Sequence, residues 1–250
     1  MAEPIPTLTV HHLNASSSER IPWLCEELNI PYNLKIYPRD AVTRLATPEF
    51  KALHPAGSAP VINDLIASSN TSPNDEPQKI TLAESGACVQ YLCTKYPSPS
   101  HSDIFPSPSH PSYATFLYWF HFSNATFQAA LMRSFSLQVS GIDLQTFKMG
   151  QLATTRVHRG LAMLEAQLQG NLEDQWIAGR NLFTAADIMI VFSLTTFRYW
   201  FPYSLAGYPN IVGYLGRIGK REAYQRAMGK ADPGLEPALG AEAPGGLLSL

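Results

Sequence analysis

The sequence predicts an α/β segment followed by an all-α segment, and three observations carry that fold class. Over about the first hundred residues, short strand-like runs alternate with helical patterns. A break follows, with five prolines in the fifteen residues 97–111, and neither a helix nor a central strand survives that density. Beyond the break only helical periodicity is found. Strands with helices first and helices alone afterwards predict two domains rather than one wound sheet. The expected division is 1–97, a Pro/Ser-rich linker at 98–110, a helical domain at 111–230, and a tail at 231–250. The prolines and glycines of that tail predict a loose end.

The elements follow in order. Residues 8–12 read as a strand. A helix is expected over 18–29, because Ile21, Leu24, Cys25 and Leu28 fall at i, i+3, i+4 and i+7 on one face. Pro22 lacks an N–H, so that helix cannot begin much before Ser18. Strands are expected at 32–37, 60–66 and 79–82, a short helix at 48–53 and a longer one at 84–96. The polar, turn-rich stretch 68–78 predicts an exposed, mobile hairpin loop. The later helices are expected at 113–137, 144–168, 185–200, 210–215 and 221–228.

Composition excludes several classes of function. The 250 residues are 45% hydrophobic and only 15% charged, against about 25% charged in an average globular domain. The surface must therefore rely on Ser, Thr, Asn, Gln and His. With a net charge of −2, there is no basic surface to offer phosphate backbones, and no nucleic-acid partner is expected. The longest apolar run, 188–194, is far short of the roughly 18–20 residues that span a bilayer. The start, Met-Ala-Glu-Pro, has no basic or apolar region of a secretory signal. Cys25, Cys88 and Cys93 are odd in number, form no Cys-x-x-Cys pair and sit on apolar helical patterns, so they are expected as buried, reduced thiols. A cytoplasmic location is expected.

Four motifs bear on chemistry. His54-Pro-Ala-Gly-Ser58-Ala59-Pro60 ends on a proline that opens an apolar strand, which places it at an edge or in a special turn. A cis Ala59–Pro60 bond would present the Ala59 backbone to an extended ligand; a plain loop before a strand is the alternative. Thr81-Leu-Ala-Glu84-Ser85 begins a helix, where Glu and Ser serve as ordinary caps. A helix N-terminus also binds a carboxylate, and Glu84 beside it can accept from an ammonium. The two together fit an α-amino-acid head group.

The third motif is Asn14-Ala-Ser16-Ser17-Ser18-Glu-Arg20. One serine is needed as a helix cap, but a cap does not need three serines and an asparagine. Nothing in the sequence, neither a Gly-x-Ser-x-Gly elbow nor a His/Asp pairing, points to a nucleophilic serine triad. The fourth, Phe183-Thr184-Ala-Ala-Asp187-Ile188, is a capping box with a hydrophobic staple, hence structural. His11 and His12 lie in a strand, where one ring should face the core and the other the opposite face; no metal site is expected. Within an aromatic cluster, His121, Asn124 and Gln128 fall at i, i+3 and i+7, a polar stripe able to line a cleft.

Taken in this order, the motifs resemble the soluble glutathione S-transferases. The run from His11 to Leu28 is similar to a microbial subgroup whose first helix reads Ser-x-Arg-x-x-Trp-Leu. The His54 to Pro60 segment, Glu84-Ser85 and Thr184-Ala-Ala-Asp187 match other landmarks of that family. The resemblance covers about residues 7–228 and implies a thioredoxin-like, glutathione-binding domain followed by a helical one. It implies glutathione as co-substrate, its γ-glutamyl head on Glu84 and Ser85, and its cysteinyl part paired with the Ala59 backbone. His54, Ser58 and Pro60 complete the implied glutathione-binding set. Ser16, four residues before Arg20, is implied as the group that meets the sulfur, with Asn14, Ser17 and Ser18 as substitutes. A small, electrophilic, apolar second substrate is implied between Leu13 and the His121, Asn124 and Gln128 stripe. A homodimer through helices 84–96 and 113–137 is implied as well.

The match departs from the family at Ser58, where a lysine is frequent, and at Asn124, where the subgroup often has glutamate. The implied function is that of a glutathione transferase. The alternatives are a glutathione-dependent isomerase or tailoring enzyme of small-molecule metabolism, and a non-catalytic dimeric interaction module on the same scaffold.

Overall fold

In the computed structural model, residues 7–66, 78–96, 103–170 and 174–247 are described. The loop expected at 68–78 lies outside them except for its last residue, as do the first residues of the linker and the N-terminal Met-Ala-Glu-Pro. The chain divides into two compact units, residues 1–98 with 226–235, and residues 99–225 with 236–250.

The first unit is built on a four-stranded sheet in the order β2-β1-β3-β4. Strand β1 (Leu8–Leu13) runs parallel to β2 (Tyr32–Tyr37), with Leu8 opposite Tyr32 and Leu13 opposite Tyr37. On its other side β1 is antiparallel to β3 (Val61–Ile66), which is antiparallel to β4 (Gln78–Ala83). The crossover between β1 and β2 is a short 3₁₀ turn, Ser17–Glu19, leading into α1 (Arg20–Leu28). Pro22 falls in the first turn of α1, where its missing N–H has no partner to lose. The helix ends at Asn29 in the left-handed region, φ 54°, a conformation asparagine tolerates. Helix α2 is the short Pro48–Lys51, and α3 is Ser85–Lys95. Leu13, Tyr37, Phe50, Val61 and Ala83 form a packed cluster between these elements.

Paired on both sides, β1 is also covered on both faces, so both its histidines are buried, contrary to a one-faced strand. On one face His11 bonds Tyr37 Oη and Asn63 Oδ1, each at 2.9 Å. At the end of α3, Lys95, Tyr91 and Tyr96 converge on the buried carboxylate of Asp64 and tie the helix to β3. Cys25 and Cys88 are buried and Cys93 partly so, all as free thiols. Burial pushes the Cys88 and Cys93 thiols up to about 12, which leaves neither of them a nucleophile at neutral pH.

The second unit is helical. Helix α4 (Tyr113–His121) passes through a π-helical stretch, Phe122–Gln128, into α5 (Ala129–Val139). Helix α6 (Lys148–Gln167) lies against that stretch so closely that a Cβ on Gly160 would sit 2.6 Å from Phe127 Cδ2. A two-residue hairpin, β5 (Gln175–Trp176) and β6 (Gly179–Arg180), corrects the purely helical expectation for this half. Helix α7 (Ala185–Leu194) is buried at every residue, as an all-round apolar pattern demands. A 3₁₀ turn (Thr196–Tyr199) and α8 (Pro209–Gly219) follow, and then α9 (Glu222–Ala231), whose residues from 226 onward belong to the first unit.

The capping box expected at the start of α7 is present, with Thr184 N donating to Asp187 Oδ2 at 2.8 Å. The Asp187 carboxylate also accepts from Thr184 Oγ1, from the hairpin N–H of Ile177 and from Tyr214 Oη of α8. A motif that looks local thus joins three elements of the unit.

The segment from 231, expected as a loose tail, is instead held at two places. Ala231 and Asp232 are buried in the first unit. In the second unit, the fully buried guanidinium of Arg198 donates to the carbonyls of Tyr203, Ala238, Gly240, Ala241 and Glu242. The N–H of Leu247 donates to Tyr199 O at 2.7 Å. Backbone carbonyls gathered around one cation substitute for regular structure in a stretch whose prolines forbid it. Replacing Arg198 by Met is expected to cost at least about 2 kcal/mol and to open residues 236–247 to protease. Limited proteolysis with mapped cleavage sites checks this, and an unchanged digestion pattern refutes it.

Candidate active site

The site is built in the first unit from three segments that the sheet brings to one end. The first is the loop after β1. Ala15 takes a left-handed backbone, φ 48°, and Ser16 returns to an extended one, φ −136° and ψ 169°, to cap the 3₁₀ turn. Positive φ strains a non-glycine residue, and such strain persists only where the surroundings over-determine it. Here Arg39, just beyond β2, donates to Asn14 O at 2.7 Å and Ala15 O at 3.2 Å. From the other side Asp232 accepts from Ala15 N at 2.9 Å and Asn14 Nδ2 at 3.1 Å.

The three serines divide their work. Ser16 Oγ and Ser18 Oγ are 2.6 Å apart, and Ser16 Oγ also accepts from Ser18 N. Ser17 Oγ donates to Ala59 O at 3.2 Å. Ser18 Oγ lies 2.9 Å from His12 Nδ1 and accepts from Leu13 N. His12 Nε2 in turn lies 2.9 Å from Asp232 Oδ2. No motif in the sequence marks this His/Asp pair. His12 reads in the sequence as a strand residue, and Asp232 lies in the segment expected as a loose tail, so no local signal joins them.

The second segment is the turn before β3. Ala59–Pro60 is cis. Since β3 is flanked by β1 and β4, Pro60 stands at a special turn and not on an edge strand. Ser58 is exposed, Ala59 half-buried and Pro60 buried. His54 shapes this loop, its Nδ1 accepting from Ala56 N at 3.1 Å.

The third segment is the start of α3. Glu84 is exposed with φ 75° and ψ 121° and makes no side-chain cap bond to the helix it precedes. The capping role open to it from sequence is therefore not the one it plays. Ser85 is buried, and its Oγ accepts from Arg20 Nη1 at 3.0 Å. Arg20 is itself fully buried at the head of α1. Burial lowers its pKa to about 9, against the raising effect of Glu19. Two hydrogen bonds, Ser17 to Ala59 and Arg20 to Ser85, thus draw the serine loop to the cis-proline turn and to the α3 N-terminus.

The residues expected to meet a second substrate are placed differently. Leu13 is 4% exposed and packed into the core cluster with Tyr37 and Phe50, so its side chain serves packing. His121, Asn124 and Gln128 belong to the second unit. The α-helical spacing assumed for them is interrupted by the π-helical stretch, whose i→i+5 bonding alters the rotation between successive residues. His121 is exposed, and Asn124 and Gln128 are half-buried. A cavity of about 340 Å³ opens on the adjoining face, lined among others by Phe122, Thr126, Arg133, Arg156, Arg159 and Met163. The three stripe residues do not line it. Among the described residues, no cluster of three His, Cys, Asp or Glu side chains is placed to hold a metal. No helix among them is long and apolar enough to cross a membrane.

Strand order, the cis-proline before β3 and the open helix start after β4 define a thioredoxin-like unit, here joined in one chain to a helical one. The sequence matches the family described as "Glutathione S-transferase, N-terminal domain" over residues 15–95, and "Glutathione S-transferase, C-terminal domain" over residues 150–217. It is 27% identical over 237 residues to "Glutathione S-transferase 1" of Saccharomyces cerevisiae, covering 91% of this chain and 96% of that one. It is 32% identical over 136 residues to "Glutathione S-transferase 3" of Schizosaccharomyces pombe, a match spanning 53% of this chain and about half, 48%, of that relative. A solved glutathione S-transferase from Actinobacillus pleuropneumoniae is similar at 29% identity and a TM-score of 0.73, covering 91% of this chain and 94% of that one. The chain belongs to the glutathione S-transferase family of enzymes.

Proposed function

We propose that the first unit binds glutathione and that Ser16 activates its thiol as a thiolate for addition to an electrophilic, apolar small molecule. The observation that carries this reading is the convergence, through the two hydrogen bonds above, of a serine loop, a cis-proline turn and a helix start. The head group of the tripeptide is assigned to the α3 start, where Glu84 accepts from its ammonium. The helix N–H groups and Ser85 take its carboxylate. The cysteinyl backbone is assigned to Ala59, with Ser58 and the His54 loop toward the glycyl end.

Among the serine-loop candidates, Asn14 is engaged with Asp232 and Ser18 with His12. Ser16, at the outer end of the loop's hydrogen bonds, is the choice for the sulfur. A free thiol with a pKa of about 8.5 is only a few per cent ionised at pH 7. Lowering it by about two units, worth roughly 2.7 kcal/mol, makes thiolate the main species. An O–H···S⁻ bond and the nearby start of α1 both act in that direction.

Immobilised glutathione and a panel of electrophiles test the reading. Retention on the resin, with a product heavier by the tripeptide, is expected. Retention with a product of unchanged composition would make the protein an isomerase. Absence of both retention and thermal stabilisation would make it an interaction module.

A further inference from the structure

From Ser16, which the transferase reading places at the sulfur, a buried row runs through groups that reading does not use: Ser18, His12 and Asp232. Their spacings are 2.6 Å between the serine oxygens, 2.9 Å from Ser18 Oγ to His12 Nδ1 and 2.9 Å from His12 Nε2 to Asp232 Oδ2. Ser18 and His12 are wholly buried, whereas Ser16 and Asp232 keep slight exposure. The serine bonded to the histidine is therefore sealed from substrate, and the row does not present a nucleophile beside its base as a hydrolytic triad does. Its neutral end is Ser16 and its charged end is Asp232, each buried with slight exposure.

Donor and acceptor counting fixes its polarity. Burial alone would raise the Asp232 carboxyl, but the hydrogen bonds from His12, Ala15 N–H and the Asn14 amide, with the charge His12 carries when protonated, hold the group below its ordinary value. An ionised carboxylate only accepts, so His12 Nε2 carries a hydrogen. In the neutral ring Nδ1 is then bare and accepts from Ser18 Oγ at 2.9 Å, a closer acceptor for that hydrogen than Leu13 O at 3.4 Å. Ser18 Oγ, having given its one hydrogen, accepts from Ser16 Oγ. Ser16 is left with a lone pair for an incoming S–H and no hydrogen for an incoming thiolate. Adding a proton to Nδ1 reverses every bond in the row: His12 donates to Ser18, Ser18 to Ser16, and Ser16 outward.

We propose that Ser16, Ser18 and His12 form an internal proton path, balanced by Asp232, that takes the thiol proton and keeps it on His12 while the sulfur is a thiolate. The proposal rests on the reading that glutathione sulfur meets Ser16. The S–H bond breaks and its electron pair stays on sulfur. One hydrogen shifts along each link, to Ser16 Oγ, to Ser18 Oγ and to His12 Nδ1, so both serines end as they began. No atom is lost and no redox partner is needed. The reversed row then points the Ser16 O–H at S⁻, so proton removal and thiolate stabilisation are one event. His12 acts through the serines and Asp232 through His12, which makes them positioning and charge-balancing residues. The charged groups on this row are Asp232, from the segment after α9, and Arg39, which clamps the Asn14 and Ala15 carbonyls and whose charge acts on Asp232. His11 serves the opposite face with Tyr37 and Asn63.

The test follows glutathione bound to the full chain, reading thiolate by ultraviolet absorbance against pH and proton release by calorimetry in two buffers at pH 7. The wild type is expected to form thiolate while releasing far less than one proton for each thiolate formed. Asp232→Asn and His12→Gln are expected to raise the apparent pKa of the bound thiol by about one unit or more, the scale of a lost neighbouring charge. Turnover should fall about tenfold with it, while KM for glutathione changes little, and Asp232→Glu should restore part of the loss. Should His12→Gln fail to fold, Asp232→Asn and the wild-type proton count decide alone. Release of a full proton per thiolate by the wild type, or an unmoved thiol pKa in Asp232→Asn, overturns the path. If Ser16→Ala leaves the thiolate intact, the assignment of Ser16 to the sulfur falls, and the path with it. If Ser16→Ala abolishes thiolate while the wild type sheds its proton, only the path falls. Failure of the wild type to bind glutathione removes both.

Discussion

Replacing Asp187 by Ala is expected to cost about 3–5 kcal/mol, because several buried hydrogen-bond donors lose their one shared acceptor. The substitution strands the N–H groups of Thr184 and Ile177 and the hydroxyls of Thr184 and Tyr214 without their acceptor, all in a buried place. Each stranded donor costs about 1–3 kcal/mol, and a domain holds only about 5–15 kcal/mol in all. The helical unit should therefore lose cooperative melting near physiological temperature, measured by calorimetry. A melting point within a few degrees of wild type would show that the hairpin and α8 hold without this carboxylate.

The same group predicts a pH dependence. Burial pushes the Asp187 carboxyl up to about 6 in spite of its donors, so the folded state favours its protonated form. A raised folded pKa contributes stability that is full below the ordinary carboxylate value and is lost as pH rises through about 6. Against Asp187→Asn, which does not titrate, the wild type should lose relative stability between about pH 4 and pH 6 and then level off. A constant difference between the two proteins over that range would contradict it.

Ser16→Ala is expected to lower turnover with glutathione and an activated aryl halide at least about tenfold, or about 1.4 kcal/mol of transition-state stabilisation. KM for glutathione should change less, because Glu84, Ser85 and Ala59 are untouched and hold the tripeptide in the proposed reading. A loss confined to KM would mean that Ser16 contributes to binding and not to the sulfur step. Unchanged kinetics would mean that another group meets the sulfur.

Much of the fold was legible because its signals are local. The second strand, Tyr32–Tyr37, the helix with Ile21, Leu24, Cys25 and Leu28 on one face, and the apolar run 188–192 of α7 each declare themselves by spacing within a few residues. The hairpin at Gln175–Arg180 was not legible, since strands of two residues are too short to show a period of two. The π-helical stretch was not legible either: its side chains suit an α-helix, and only the hydrogen-bond pattern tells the two apart.

The site divides along the same line. By itself the sequence determined the order of its parts: a serine loop after the first strand, a proline before the third, a glutamate and serine opening a helix, and a capping box far downstream. These are short-range patterns, set by what caps, turns and strand starts require of adjacent residues. Only the tertiary structure decided which partners those residues have. The packed loop and sheet use Leu13 as core and give Ser17 to Ala59 and Ser18 to His12. The largest difference is Asp232, 220 residues from His12 in sequence and 2.9 Å from it in space. No periodicity or motif spans such a distance. A buried imidazole finds its carboxylate only when folding closes the chain around both, which is why an apparently loose tail turned out to hold the charged end of the proposed proton path.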